Sequence, residues 1–124
     1  MNTKRFHLGD VLSVTTGRLL SPRHMAGVYE ILNHMTGDSL FTHQLPRASR
    51  ECEPFLRQQF PALADETAAD VTRENHREWL AAAVVKHGEW FDVEPLPEHA
   101  HEFIDPISEL AERVHPDRIF VVKP

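Results

Sequence analysis

SPRHMAGVYEILNHMTG, residues 21–37, reads as a helix with both of its ends marked. The Ser21 hydroxyl oxygen suits a free backbone N–H, and Pro22 supplies a helical φ at the first position. Met25, Val28, Leu32 and Met35 recur at helical spacing, and Gly37 offers the left-handed residue that stops the helix. An apolar stripe on a polar helix must be buried against something, so the segments on either side decide the fold.

Upstream, Phe6 to Leu8 reads as a short extended entry, Asp10 as the N-cap of a two-turn helix over Val11 to Thr16, and Gly17 as its stop. Downstream, Leu45, Ala48, Cys52, Phe55 and Leu56 continue one apolar stripe across Pro54, which predicts a kinked helix or two short ones. Residues 61–70 are acidic and alanine-rich without a face, a loop. From Thr72 to Gly88 a helix buries Trp79, Leu80, Ala83 and Val84. Trp90, Phe91 and Val93 then suggest a strand. Asp105-Pro106 repeats the cap-plus-proline start, with Ile107, Leu110, Ala111 and Val114 on one helical face. His115-Pro116 stops that helix, and Ile119 to Val122 suits a strand. The expectation is a single α+β domain over residues 1–124, with four or five short helices on a two- or three-stranded sheet formed mainly near the C-terminus. The pairing of the two late strands, parallel or antiparallel, stays open.

With 124 residues, 41% apolar and 26% charged, the chain matches ordinary globular usage. No apolar run reaches the roughly 18 residues of a membrane span, and the N-terminus lacks a signal-like apolar stretch, so a cytoplasmic protein is expected. The single Cys52 agrees with a reducing compartment and falls on an apolar stripe, where an inert thiol is expected. A net charge of −6 repels phosphate backbones, so nucleic acid is not the expected partner. The helix-turn-helix spacing at residues 10–36 does not change this, because few basic residues follow Arg23 and His24.

The densest polar constellation is MTGDSLFTHQLPRAS, which gathers Thr42, His43, Gln44 and Arg47 around a helix start, where an anion could dock. The structural alternative, which is preferred, has Thr42 capping, His43 and Gln44 satisfying buried backbone groups, and Arg47 pairing with Glu51 one turn on. Thr16 and Arg18 beside Gly17 form a second candidate, whose structural alternative is a helix C-cap with an exposed arginine. Glu98, His99, His101, Glu102 and Asp105 make a donor-rich patch, read as surface histidines rather than a metal site, since closed zinc sites need four convergent ligands. Neither GxxxxGK[ST] nor GxGxxG occurs, nor do GxSxG, HExxH or a calcium loop, so no cofactor, metal or catalytic residue is assigned.

Leu8-Gly9-Asp10, Thr15-Thr16-Gly17-Arg18-Leu19, Met35-Thr36-Gly37-Asp38 and Thr42-His43-Gln44-Leu45-Pro46-Arg47 carry a resemblance. Over residues 8–56 the chain resembles a family of small uncharacterised proteins of tailed bacteriophages and prophages; the remainder is similar more loosely. The resemblance implies a bacterial host cytoplasm and a role exerted by occupying a surface on a host protein, defence systems included. It supplies no activity or catalytic residue.

Two functional readings follow. The first is an accessory protein that binds a host macromolecule, with Trp90, Phe91, Phe103 and Arg18 as candidate anchors. The alternative is a small enzyme or nucleotide-binding protein whose polar site joins Arg18, His43, Gln44 and Arg47.

Overall fold

Every residue from Leu8 to Thr15 is buried, the polar Asp10, Ser13 and Thr15 included. The structure, a computed structural model, describes residues 3–113. Strand β1 (Lys4–His7) leads directly into helix α1 (Leu8–Thr16). His7 caps that helix through its Nδ1, which accepts the Gly9 N–H at 2.9 Å, so Asp10 is not the cap. Gly17 stops α1 in the left-handed conformation at φ 74°, as its lack of a Cβ permits.

Helix α2 (Met25–Thr36) begins one turn later than Ser21-Pro22 suggests, because residues 22–24 form a turn before it. Ile31, Leu32 and Met35 are buried and Met25 is exposed, so the buried stripe is rotated from the expected one. Helix α3 (Leu45–Gln59), preceded by a 3₁₀ turn at Thr42–Gln44, runs as one helix through Pro54. The break into two short helices that Pro54 could have caused is absent. Pro54 and Arg50, whose carbonyl loses its donor, are both exposed, so water can take the missing bond. Residues 61–75 are turns and a 3₁₀ piece at Pro61–Leu63. Helix α4 (His76–His87) follows, then β2 (Trp90–Val93) and α5 (Pro106–Arg113).

The sheet corrects a second expectation. β2 pairs antiparallel with the N-terminal β1, Phe6 opposite Phe91 and Lys4 opposite Val93, so the sheet is not a C-terminal feature. Phe6 and Val93 point inward, and burying both gives the N-terminus a reason to close on β2. The strand expected at Ile119 to Val122 lies outside the described residues. After β2 the chain is strapped across the helix ends: His34 Nε2 donates to the Val93 carbonyl at 2.8 Å and Leu96 N–H to the Met35 carbonyl at 2.9 Å. The coarse α+β class holds, with five helices and two strands among the described residues.

α5 overturns a third expectation. Ile107 is 71% exposed and Leu110 40%, whereas Glu109 is 3% exposed. The helix turns a carboxylate inward because partners wait for it, not apolar side chains. The core instead joins α1, α2 and α3 through Leu8, Leu12, Ile31, Leu32 and Leu56. Among the described residues, no helix is long and apolar enough to cross a membrane.

Candidate functional site

A buried polar hub fixes the loop between α1 and α2. Asp10, fully buried, accepts from Ser21 Oγ at 2.5 Å and from the Arg23 guanidinium at 3.0 Å. Ser13 Oγ donates to the Gly9 carbonyl at 2.7 Å and accepts the N–H groups of Leu20 and Ser21, each at 2.9 Å. A buried carboxylate is tolerable only when ion-paired and hydrogen-bonded, and Asp10 is both. Gly9 and Gly27 let the backbones close on the hub. A Cβ at Gly27 would stand 2.0 Å from Ser21 Oγ and 2.3 Å from Asp10 Oδ1.

His24 is held at the end of this loop with φ 56° and ψ −135°, a conformation unusual for a non-glycine residue. Its N–H donates to the Ser21 carbonyl at 2.9 Å and its carbonyl accepts the Gly27 N–H at 3.2 Å. Facing it, the turn before α4 is locked from both sides: Thr72 N–H donates to Asn75 Oδ1 at 2.6 Å, and Asn75 N–H to Thr72 Oγ1 at 3.1 Å. His76 Nδ1 donates to the Arg73 carbonyl at 2.7 Å, which leaves Nε2 as the ring's outward position.

Between these two rigid turns lie two adjoining hollows of about 530 Å³ each, which share His24 and His76 on their walls. One is partly apolar, with Leu20, Pro22, Leu80 and Val84 beside His7 and Arg77. The other carries Arg18, Leu19, Val71 and Arg73. Glu89 stands at the far end, 3.5 Å from His7 Nε2.

The charges around these hollows differ from those elsewhere. Lys4, Arg5, Arg23, Arg47, Arg57 and Lys86 each reach a carboxylate. Among the described residues, Arg18, Arg50, Arg73 and Arg77 make no such pair. Three of those four border the cleft, and the Arg18 guanidinium donates to the Val71 carbonyl at 3.4 Å. A chain of net charge −6 thus gathers at one place three of the four cations that lack a carboxylate among the described side chains, and there they attract anions.

The sequence-predicted residues are divided by the fold. Arg47 clasps Glu109 with Nε and NH2, both at 2.8 Å, and reaches Glu51 at 2.8 Å and the Glu102 carbonyl at 2.7 Å. Gln44 donates to Glu109 at 2.9 Å and to the Ile104 carbonyl at 3.0 Å. His43 Nε2 donates to the Pro106 carbonyl at 2.7 Å. His43 and Gln44 thus satisfy backbone carbonyls and Arg47 pairs with Glu51, as in the structural alternative, and together they tie α5 and the segment before it to the start of α3, with Glu109 the unforeseen partner. The Arg47 guanidinium, then the Gln44 amide, hold the Glu109 carboxyl down to about 2, and Glu109 in turn raises Arg47 above its ordinary value. Thr42 does not cap; its hydroxyl meets the Tyr29 hydroxyl. Thr16 Oγ1 donates to the Leu12 carbonyl at 2.6 Å and accepts the Arg18 N–H at 3.2 Å, a local cap. Arg18 and Thr42 border a further shallow groove with Met25 and Leu45.

His101 is not the surface histidine expected. Its ring is 2% exposed and lies between Glu51, at 2.5 Å from Nδ1, and Asp38, at 3.0 Å from Nε2. The two carboxylates sit on opposite ring nitrogens and do not converge on one point. Among the described residues, no group of three His, Cys, Asp or Glu is arranged to hold a metal ion. Cys52 is fully buried, and burial, then the nearby Glu51 charge, pushes its thiol up to about 12. Trp90 and Phe103 are exposed, whereas Phe91 is half-buried against Phe60 at 5.1 Å.

Sequence reasoning missed the α4 side of the cleft. A signal was present in Arg73, His76 and Arg77, whose spacing of three and four puts basic groups on one face of a helix start. Residues 6–66 match the family model of a domain of unknown function, DUF7736. That similarity takes in the hub, Arg18 and His24 and stops before Arg73. No curated protein and no solved structure matches the chain.

Proposed function

We propose that this chain is a phage-encoded accessory protein that works by binding a host protein, with the two-hollow cleft around His24 and His76 as its recognition surface. One observation carries the reading: Arg18, Arg73 and Arg77 surround the cleft without carboxylate partners, while six other cations are paired. Arginines of this kind are common interface anchors. Leu80, Val84 and Pro22 supply an apolar wall beside them, which fits a partner segment that is acidic with an apolar tip. Trp90, 55% exposed and 5.4 Å from the His7 ring, extends the surface past Glu89.

The alternative of one polar site joining Arg18 to His43, Gln44 and Arg47 is not adopted. Arg18 reaches Val71, whereas the other three reach Ile104, Pro106 and Glu109.

The test is affinity capture from a bacterial host lysate with the wild type and an R18E/R73E/R77E variant. The wild type retains a specific protein at physiological salt, and the variant, folded by circular dichroism, loses it. Capture that survives all three reversals rules the cleft out as the recognition surface.

A further inference from the structure

The hollow bordered by Arg18, His24, Arg73 and His76 has a narrower chemistry than the cleft as a whole, and we infer that it is a site for a phosphate monoester. This assignment rests on the cleft being the recognition surface and names what one half of it takes. The walls combine two guanidiniums without carboxylates, two imidazoles and the small apolar surface of Leu19 and Val71. A carboxylate carries one charge and is satisfied by one bidentate arginine; a phosphate monoester carries close to two and presents three acceptor oxygens. Two arginines with two histidines match the second donor count.

The walls are also held in place before any ligand arrives. Arg18 is steadied by its bond to the Val71 carbonyl and His76 by the Arg73 carbonyl, while the His24 backbone is held by the Ser21 carbonyl. With Nδ1 of His76 already donating to the Arg73 carbonyl, Nε2 is the ring nitrogen left to meet a ligand. Fixed donors cost less conformational entropy when they bind than mobile ones. The neighbouring hollow, with Leu80 and Val84, is placed to take whatever the phosphoryl group is attached to. Two sources share this chemistry: a phosphorylated side chain on a protein segment, or a nucleoside monophosphate.

The test is an NMR titration of the full chain, following the His24 and His76 imidazole resonances. Inorganic phosphate, a phosphoserine peptide and a nucleoside monophosphate are added in separate arms. Inorganic phosphate is expected to bind saturably with a dissociation constant on the order of 1 mM. R18Q and R73E should each weaken it by roughly tenfold or more, since each loses a charge-assisted hydrogen bond. Arg50, also unpaired but outside these hollows, is the control, and R50E should leave affinity within about twofold. Tighter binding of the peptide or of the nucleotide supports the site and identifies which source it takes. The absence of any saturable shift, or equal weakening by R50E, overturns the assignment. If phosphate fails while R18E/R73E/R77E still abolishes lysate capture, the phosphate site falls and the recognition surface remains.

Discussion

Gly27 concentrates the logic of the hub in one residue. In a helix interior, alanine is ordinarily favoured over glycine by about 0.8–1.0 kcal/mol. Here a Cβ would stand within 2.3 Å of Asp10 Oδ1 and closer still to Ser21 Oγ. Both atoms are locked in a buried hydrogen bond and cannot move aside freely. Gly27→Ala is therefore expected to destabilise the protein by about 1–3 kcal/mol, the usual cost of overpacking, in urea denaturation. A stabilised variant would mean that the hub is loosely packed. None of this was legible in the sequence. The pattern marks Asp10 and Ser21 as caps; that Ser21, in the loop before α2, meets Asp10 on α1 is a tertiary fact.

At the scale of elements, the helix stops at Gly17 and Gly37 and the start of α5 at Asp105-Pro106 were the most readable part, because these residues act through local backbone chemistry. Periodicity was less reliable where a polar residue had a better offer. Ile107 and Leu110 hold helical spacing, yet α5 turns Glu109 inward, because Arg47 and Gln44 give that carboxylate three hydrogen bonds. Hydrogen bonds to a charged group are worth about 1.5–3 kcal/mol, enough to set the rotation of an eight-residue helix. Ile107→Lys should then cost no more than about 0.5 kcal/mol, the usual surface value. A loss above about 2 kcal/mol in thermal or urea melts would place Ile107 in the core, since burying a lysine is costly. The pairing of β1 with β2 was equally hidden, because strand partners 83 or more residues apart leave no local trace; Lys4 meets Val93 and His7 meets Trp90.

For the whole molecule, the clasp on Glu109 makes stability depend on pH. Its carboxyl is held at about 2 in the folded protein, against about 4.3 when unfolded. A depressed carboxyl contributes stability that is fully present above the unfolded value and is lost as pH falls through the folded one. Denaturation free energies should thus fall between about pH 4.3 and 2, and Glu109→Gln should be less stable at neutral pH with a shallower decline in that window. A parallel decline in both proteins would assign the acid sensitivity to other groups.

The claim on which the functional account depends is that the cations of the cleft are available while those of the clasps are not. Arginine modification by phenylglyoxal, read by mass spectrometry residue by residue, measures this directly. Arg18, Arg73 and Arg77 are predicted to react quickly, and Arg47 and Arg57, each held by a carboxylate, slowly. Slow reaction at the three cleft positions, or reaction at Arg47 as fast as at Arg73, would contradict it.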